Sequence, residues 1–259
     1  MGRAFGWLKD PAKQPGEPPD HDARTILAST PIPRAASNRR LIVDVLDQGQ
    51  LESCVANAIM QAIRATHVRD GVTAPRLGSR LYGYWCSRAF HGSTRVDSGT
   101  YLRTFFQALN KFGFCPEERW PYDAGRFADM PPNAAFRSAF DQHSPTSYKR
   151  ITSGGVDRIA DLKRAIAAGY LVTFGTLVTE AFVQGDLGTE PLAPPPQQDH
   201  IAGGHALCAV GYDGDVFEVV NSWGTGWGDN GLCYMAREYF MWGYTDDVWV
   251  VAEAPRYSE

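Results

Sequence analysis

From Ser53 onward, Val55, Ala58, Ile59, Ala62 and Ile63 recur at intervals of three and four. This spacing predicts a buried helix that opens at Cys54, with Ser53 placed to cap its first turn. A second helix is expected over Tyr101 to Phe112, after the turn-like Asp97-Ser98-Gly99 and before the stop signal Gly113. The aromatic-rich stretch Tyr82 to Phe90 reads as core packing for the same helical half. Beyond Pro131 and Pro132 the pattern changes. Val156 to Ala168 still has helical spacing and ends at Gly169, but Leu171 to Val178, Ala206 to Tyr212, Val216 to Asn221, Leu232 to Ala236 and Asp247 to Ala252 read as strands. Asp213-Gly214 is a hairpin signal, so the strand after His205 is predicted to fold back along the strand that ends at Asn221. The acidic pair Asp246-Asp247 reads as a strand entrance.

Helices first and a sheet afterwards predict an α+β fold of two lobes with a cleft between them. The expected divisions are an extended N-terminal arm over 1–38, a mainly helical lobe over 39–142 and a β-rich lobe over 143–259. The arm carries Pro11, Pro15, Pro18, Pro19, Pro31 and Pro33 among charges and lacks a core of its own, although Trp7 and Leu8 could dock elsewhere. One long connection, Gln184 to Gly204, holds four prolines and ends immediately before His205; loops of this length usually serve a function or are disordered.

With 259 residues, 44% of them apolar, the chain is long enough to bury a core without staples. A formal net charge of -4 gives no field that favours nucleic acid or an anionic membrane, and neither is expected as a partner. The start has no apolar run long enough for a secretory signal, which suggests the cytoplasm or an export route without one. Cys54, Cys86, Cys115, Cys208 and Cys233 are odd in number and scattered, so no zinc site or disulfide framework is expected. His200 beside Asp199 has no second ligand at metal spacing, and Gly224 to Gly228 has the wrong spacing for a phosphate loop. No metal and no cofactor are expected.

The candidate chemistry is that of a thiol. Helix N-termini stabilise a thiolate through unpaired N–H groups and the macrodipole, and Cys54 opens a helix. Such a nucleophile needs a base and a partner that fixes the ring of that base. Among the six histidines only His205 leads directly into an apolar strand facing a partner across a hairpin. That partner is Asn221, whose amide can accept from an imidazolium without adding a charge, while Trp223 could shield the bond from water.

Asp47-Gln48-Gly49-Gln50-Leu51-Glu52-Ser53-Cys54, Gly204-His205-Ala206 and Asn221-Ser222-Trp223-Gly224-Thr225-Gly226-Trp227-Gly228 resemble, in order and spacing, the three signature blocks of papain-like cysteine peptidases. Smaller echoes lie at Asp97 to Thr100 and Trp120-Pro121-Tyr122. The resemblance runs from about Leu41 to Val251 and implies a papain-like two-lobe fold, with a barrel-like β lobe and an endopeptidase site in the cleft. It further implies that Gln48 and the Cys54 backbone N–H receive the oxyanion, that Gly99 pairs with the substrate backbone, and that Tyr101, Gly203 and Ala206 border a specificity pocket. Leu51 replaces a cysteine that forms a disulfide in many members and Val55 replaces the usual aromatic, which speaks against a plant-type or lysosomal member. Glu52 stands where the family commonly has Gly and suggests a preference for Lys or Arg at P1. Gly6-Trp7-Leu8-Lys9-Asp10 looks like the lead segment of short bacterial members. The arm is therefore expected to cross the cleft and restrain activity, anchored by Trp7. A peptide or protein substrate and a monomeric enzyme are expected. An idle scaffold that binds a peptide or protein, or an acyltransferase or amidase using the same groups, is the alternative.

Overall fold

The computed structural model of the chain describes residues 3–141, 145–185, 187, 190–195 and 200–255. The arm contributes β1 (Trp7–Leu8), α1 (Arg24–Leu27) and β2 (Ala35–Ser37). The helical half follows with α2 (Cys54–Arg69), α3 (Arg80–Ala89), β3 (Thr100–Tyr101), α4 (Leu102–Phe112) and α5 (Asn133–Asp141). The second half consists of β4 (Ser147–Arg150), α6 (Gly155–Ala167), β5 (Val172–Thr179), α7 (Glu180–Gln184), β6 (Ile201–Asp213), β7 (Val216–Val220), β8 (Leu232–Ala236), α8 (Arg237–Met241) and β9 (Thr245–Glu253). The boundary drawn between 142 and 143 lies outside the described residues.

Helix α2 is buried around its whole circumference over its first ten residues, because α3 and α4 cover one side and the sheet strands β6 and β9 the other. Its Val55, Ile59, Met60 and Ile63 join Tyr82, Phe105, Phe106 and Trp249 in the first core. Each such side chain contributes on the order of 1.5–3 kcal/mol when withdrawn from water. Ser53 does not cap the helix: its hydroxyl faces Tyr122 Oη and accepts from Asn57 Nδ2 at 3.2 Å. The tertiary partner Tyr122 has displaced the local one.

The sheet runs β4-β9-β5-β6-β7-β8, with β2 added to β6; these pairings are antiparallel and the sheet stays open. One face packs on α2, while the other packs on α6 and α8 through a second core containing Leu162, Ile166, Phe174, Phe217 and Phe240. The predicted hairpin is present. Gly214, at φ +55°, turns β6 into β7 and sets Asp213 opposite Val216 and Cys208 opposite Val220. Strand β6 begins at Ile201, so the last residues of the expected loop are paired with β5, Ile201 with Thr179 and Gly203 with Val178. Two glycines argue locally against a strand there, and the ladder with β5 overrides them. Residues 186, 188, 189 and 196–199 of that connection lie outside the described residues.

The arm is pinned along its length. β1 pairs in parallel with β3, Trp7 opposite Thr100 and Leu8 opposite Tyr101. Leu27 of α1 is buried in the second core, and Arg24 Nε donates to Asp161 of α6 at 2.8 Å. Trp7, only 6% exposed, lies between the two lobes.

Candidate active site

Cys54 is the first residue of α2, and its Sγ accepts the backbone N–H of Ala206 at 3.3 Å. That bond places the thiol against β6 beside His205. Nε2 of His205 meets Asn221 Oδ1 at 2.7 Å, just beyond the end of β7, so the hairpin supplies both partners. Nδ1 of His205 is buried and has no hydrogen-bond partner. Trp223 stacks on the imidazole with ring centroids 4.5 Å apart.

The loop before α2 carries Gln48, which is fully buried. Ser222 Oγ donates to its Oε1 at 2.7 Å, which turns Nε2 toward the cleft. There Nε2 donates to Leu51 O at 2.9 Å and to two arm carbonyls, Ala4 O at 3.2 Å and Phe5 O at 3.3 Å. The Gln48 N–H bonds Ser222 O at 2.9 Å, which ties this loop to the strand-rich half.

Arm residues cover the whole constellation. Phe5 sits edge-on to both His205 and Trp223, and Arg3 Nη1 donates to Trp223 O at 3.3 Å. Gly6 N–H bonds Gly204 O at 3.1 Å, and Thr100 N–H bonds Gly6 O at 2.9 Å, so the arm is hydrogen-bonded to both walls of the cleft. With both groups wholly buried, desolvation pushes the Cys54 thiol up to about 12 and the His205 imidazole down to about 4. Backbone N–H groups oppose the first shift and Asn221 opposes the second, without reversing either. The covered site therefore favours neutral thiol and neutral imidazole; either charge alone is disfavoured, and only a thiolate and imidazolium formed together offset one another.

Of the remaining sequence-predicted residues, Gly99, Tyr101, Gly203 and Glu52 lie around the arm. Gly99 gives its N–H to Tyr84 Oη at 3.1 Å, and the neighbouring Thr100 N–H is the one that bonds the arm. A Cβ on Gly99 would come within 2.2 Å of Gly6 O, so glycine is required there for close approach. A Cβ on Gly203 would strike the Phe5 ring at 2.8 Å. Ala206 lies buried under the thiol, and Tyr101 packs edge-on against His91 at 5.1 Å. Glu52 is half-buried; desolvation, then the charge of Asp97, raises its carboxyl. His200 is exposed, and Asp199 lies outside the described residues. Among the described residues no cluster of three or more His, Cys, Asp or Glu could hold a metal ion, and the five cysteines are buried free thiols.

Sequence reasoning missed Phe5, Gly175 and Asp247. Gly175 lies inside β5 because the Trp7 indole occupies the space its Cβ would need, 1.9 Å away. A glycine within a strand pattern is the signal that could have found it. Asp247 is no mere strand entrance: it is wholly buried within β9 and accepts the Trp7 indole N–H at 3.2 Å.

Against known proteins, the sequence profile described as papain family cysteine protease matches residues 32–251. An uncharacterized peptidase C1-like protein of Acanthamoeba polyphaga mimivirus is 36% identical over 216 residues, covering 80% of this chain and 69% of that protein. Cysteine proteinase 3 of Dictyostelium discoideum is 27% identical over 76% of this chain, which spans 56% of that relative's length. Among solved structures, xylellain, a cysteine protease from Xylella fastidiosa, superposes with a TM-score of 0.82 at 28% identity over 97% of both chains.

Proposed function

The chain belongs to the papain family of cysteine proteases, and from that premise we propose that it is an endopeptidase with Cys54 as nucleophile, His205 as base, Asn221 as orienting group and Gln48 as oxyanion donor. The observation that carries this reading is the buried His205. Its Nε2 is engaged by Asn221 at 2.7 Å and its Nδ1 is left without a partner, while the N–H of the next residue, Ala206, bonds the Cys54 thiol.

In the proposed reaction, Cys54 Sγ attacks the substrate carbonyl carbon while His205 Nδ1 takes the thiol proton. The negative charge developing on the carbonyl oxygen is received by Gln48 Nε2–H and the Cys54 backbone N–H. Collapse breaks the C–N bond, the imidazolium returns the proton to the leaving amine, and water activated by the same imidazole hydrolyses the thioester. Losing one oxyanion donor typically costs about 100-fold or more in turnover. Asn221 fixes the ring without competing for its proton. The backbone edge at Gly99 and Thr100, with Tyr101, Gly203 and Ala206, borders the proposed substrate path, and Glu52 is proposed to favour Lys or Arg at P1. We read the chain as a monomer and as a bacterial member, the latter supported by its likeness to the Xylella protein.

The docked arm is proposed to restrain this activity. It engages Gln48 Nε2 and covers His205 with Phe5, groups that the reaction requires. Trp7→Ala removes an anchor worth roughly 1.5–3 kcal/mol of burial and is expected to raise turnover about tenfold or more; an unchanged rate refutes the restraint.

The enzyme reading is tested with fluorogenic peptides carrying Arg or Leu at P1, under reducing conditions, with wild type and Cys54→Ala. Cleavage by wild type alone, with a new carboxylate in the product, supports the hydrolase. A new amide points to acyl transfer, and equal rates for Arg and Leu reject the role given to Glu52.

A further inference from the structure

Two carboxylates meet where the arm leaves the cleft, and neither has a part in the reaction above. Asp247 is wholly buried and sits at φ +51° within a strand, at an irregularity in the β5–β9 pairing. A non-glycine residue held in that region of backbone space signals a position over-determined by its surroundings. Its Oδ2 accepts the Asp10 N–H at 2.7 Å as well as the Trp7 indole, and its Oδ1 accepts Arg150 Nη2 at 2.7 Å. Asp10, 8% exposed, accepts the Arg103 backbone N–H on Oδ1 at 3.1 Å, while its Oδ2 is buried without a hydrogen-bond partner.

The charged groups around this pair do not supply that missing partner. Arg103 from α4 and Arg150 from β4 face it, and both also bond Asp20 of the arm, which further pairs with Lys13. Asp246, next in the chain, is tied to Lys9 at 3.1 Å, Arg150 at 3.5 Å and Arg158 at 3.7 Å. A buried acceptor with no donor, packed against a second carboxylate, is satisfied at once if it carries a proton.

We propose that Asp10 and Asp247 form a proton-operated latch: the docked arm holds one proton between the two carboxylates, donated from Asp10 Oδ2 to Asp247, and loss of that proton loosens the arm from the cleft. The latch rests on the reading that the docked arm restrains Cys54. Burial, then the charge of Asp247, raises the Asp10 carboxyl to about 7 against the pull of Arg103 and Arg150. Burial raises Asp247 as well. On a released arm Asp10 returns to the ordinary range near 3.8. Docking therefore takes up a proton between these values. Its advantage is complete below the lower one and is lost as pH rises to the upper one, by up to about tenfold per pH unit, with no further change beyond.

The test is the rate at which iodoacetamide alkylates Cys54 in the full chain from pH 5 to 8.5, for wild type and Asp10→Asn. The amide introduced by this substitution keeps an oxygen for the Arg103 N–H and presents an N–H to Asp247 at every pH. The two proteins share the same thiol and imidazole, so their ratio cancels the titration of the site. The expected ratio of wild type to Asp10→Asn already exceeds one at pH 5 and rises about tenfold or more from there to a plateau above pH 7. A flat ratio, with Trp7→Ala still accelerating alkylation, overturns the latch and leaves the restraint standing. If Trp7→Ala changes nothing, the restraint fails and the latch with it. Carbon NMR of labelled aspartates gives a readout independent of rates: a carboxyl titrating near 7 in wild type and missing from Asp10→Asn is expected, and its absence from wild type overturns the proposal.

Discussion

Tyr84 joins two backbone segments of the cleft through one hydroxyl. Its Oη accepts from Gly99 N at 3.1 Å and donates to Asp97 Oδ1 at 2.6 Å, and Asp97 in turn accepts from Glu52 N at 3.1 Å. The buried Arg88 guanidinium lies 4.0 Å over the Tyr84 ring. Next to Leu51, where the family resemblance leads one to expect a disulfide cysteine, the tie between the loop before Cys54 and the cleft edge is thus made of hydrogen bonds. Tyr84→Phe leaves the Gly99 N–H without its partner and removes one of the donors to Asp97. We expect a loss of about 1–3 kcal/mol, read as a lower denaturant midpoint with an unchanged slope; a change within about 0.5 kcal/mol would mean that water replaces the hydroxyl. The placement of Cys54, His205 and Asn221 was legible in the sequence because each leaves a local mark: a helix start, a strand residue and a hairpin return. Asp247 was not, because its partners Trp7, Asp10 and Arg150 lie far from it along the chain.

Among the elements, the β6–β7 hairpin brings the proposed base His205 and its proposed orienting amide Asn221 together. Gly214 is its turning point at φ +55°, and nothing lies within 4 Å of a Cβ built there. Substitution at that position therefore tests backbone conformation alone. Gly214→Ala is expected to cost about 1–2 kcal/mol in thermal unfolding, and Gly214→Asn markedly less, since Asn tolerates the left-handed region. Equal losses for the two would argue for a turn that has shifted. This hairpin was readable from Asp213-Gly214 between apolar runs. The start of β6 was not, since Gly203 and Gly204 weaken the local signal; they are glycines because Phe5 and Trp7 of the arm press against them.

Across the whole molecule, two carboxylates of the arm respond to pH in opposite senses. Burial alone would raise Asp20, but hydrogen bonds from Arg103, Lys13 and Arg150 outweigh it and hold the carboxyl below its usual range. Its contribution to docking is therefore present at neutral pH and is lost as pH falls through the acid range. Asp10 works the other way and weakens docking as pH rises toward 7. The arm is thus expected to hold best in a window between them. Discounted for partial solvent screening, the Asp20 link is worth about 1 kcal/mol, so Asp20→Asn should speed alkylation of Cys54 about fivefold at neutral pH. Lowering the pH should erase that difference, and a difference that persists in strong acid would assign Asp20 another role.

Neighbouring residues alone specify the helix at Cys54, the hairpin from His205 to Asn221, the α+β order of elements and the family, because periodicity, turn chemistry and motif spacing are local properties of the chain. Tertiary structure alone decided that Ser53 bonds Tyr122 instead of capping α2, that Gln48 Nε2 meets arm carbonyls, and that Asp10 and Asp247 share one buried site. Burial, and with it the protonation of a thiol, an imidazole or a carboxyl, depends on what packs over a group, and that covering comes from distant parts of the chain.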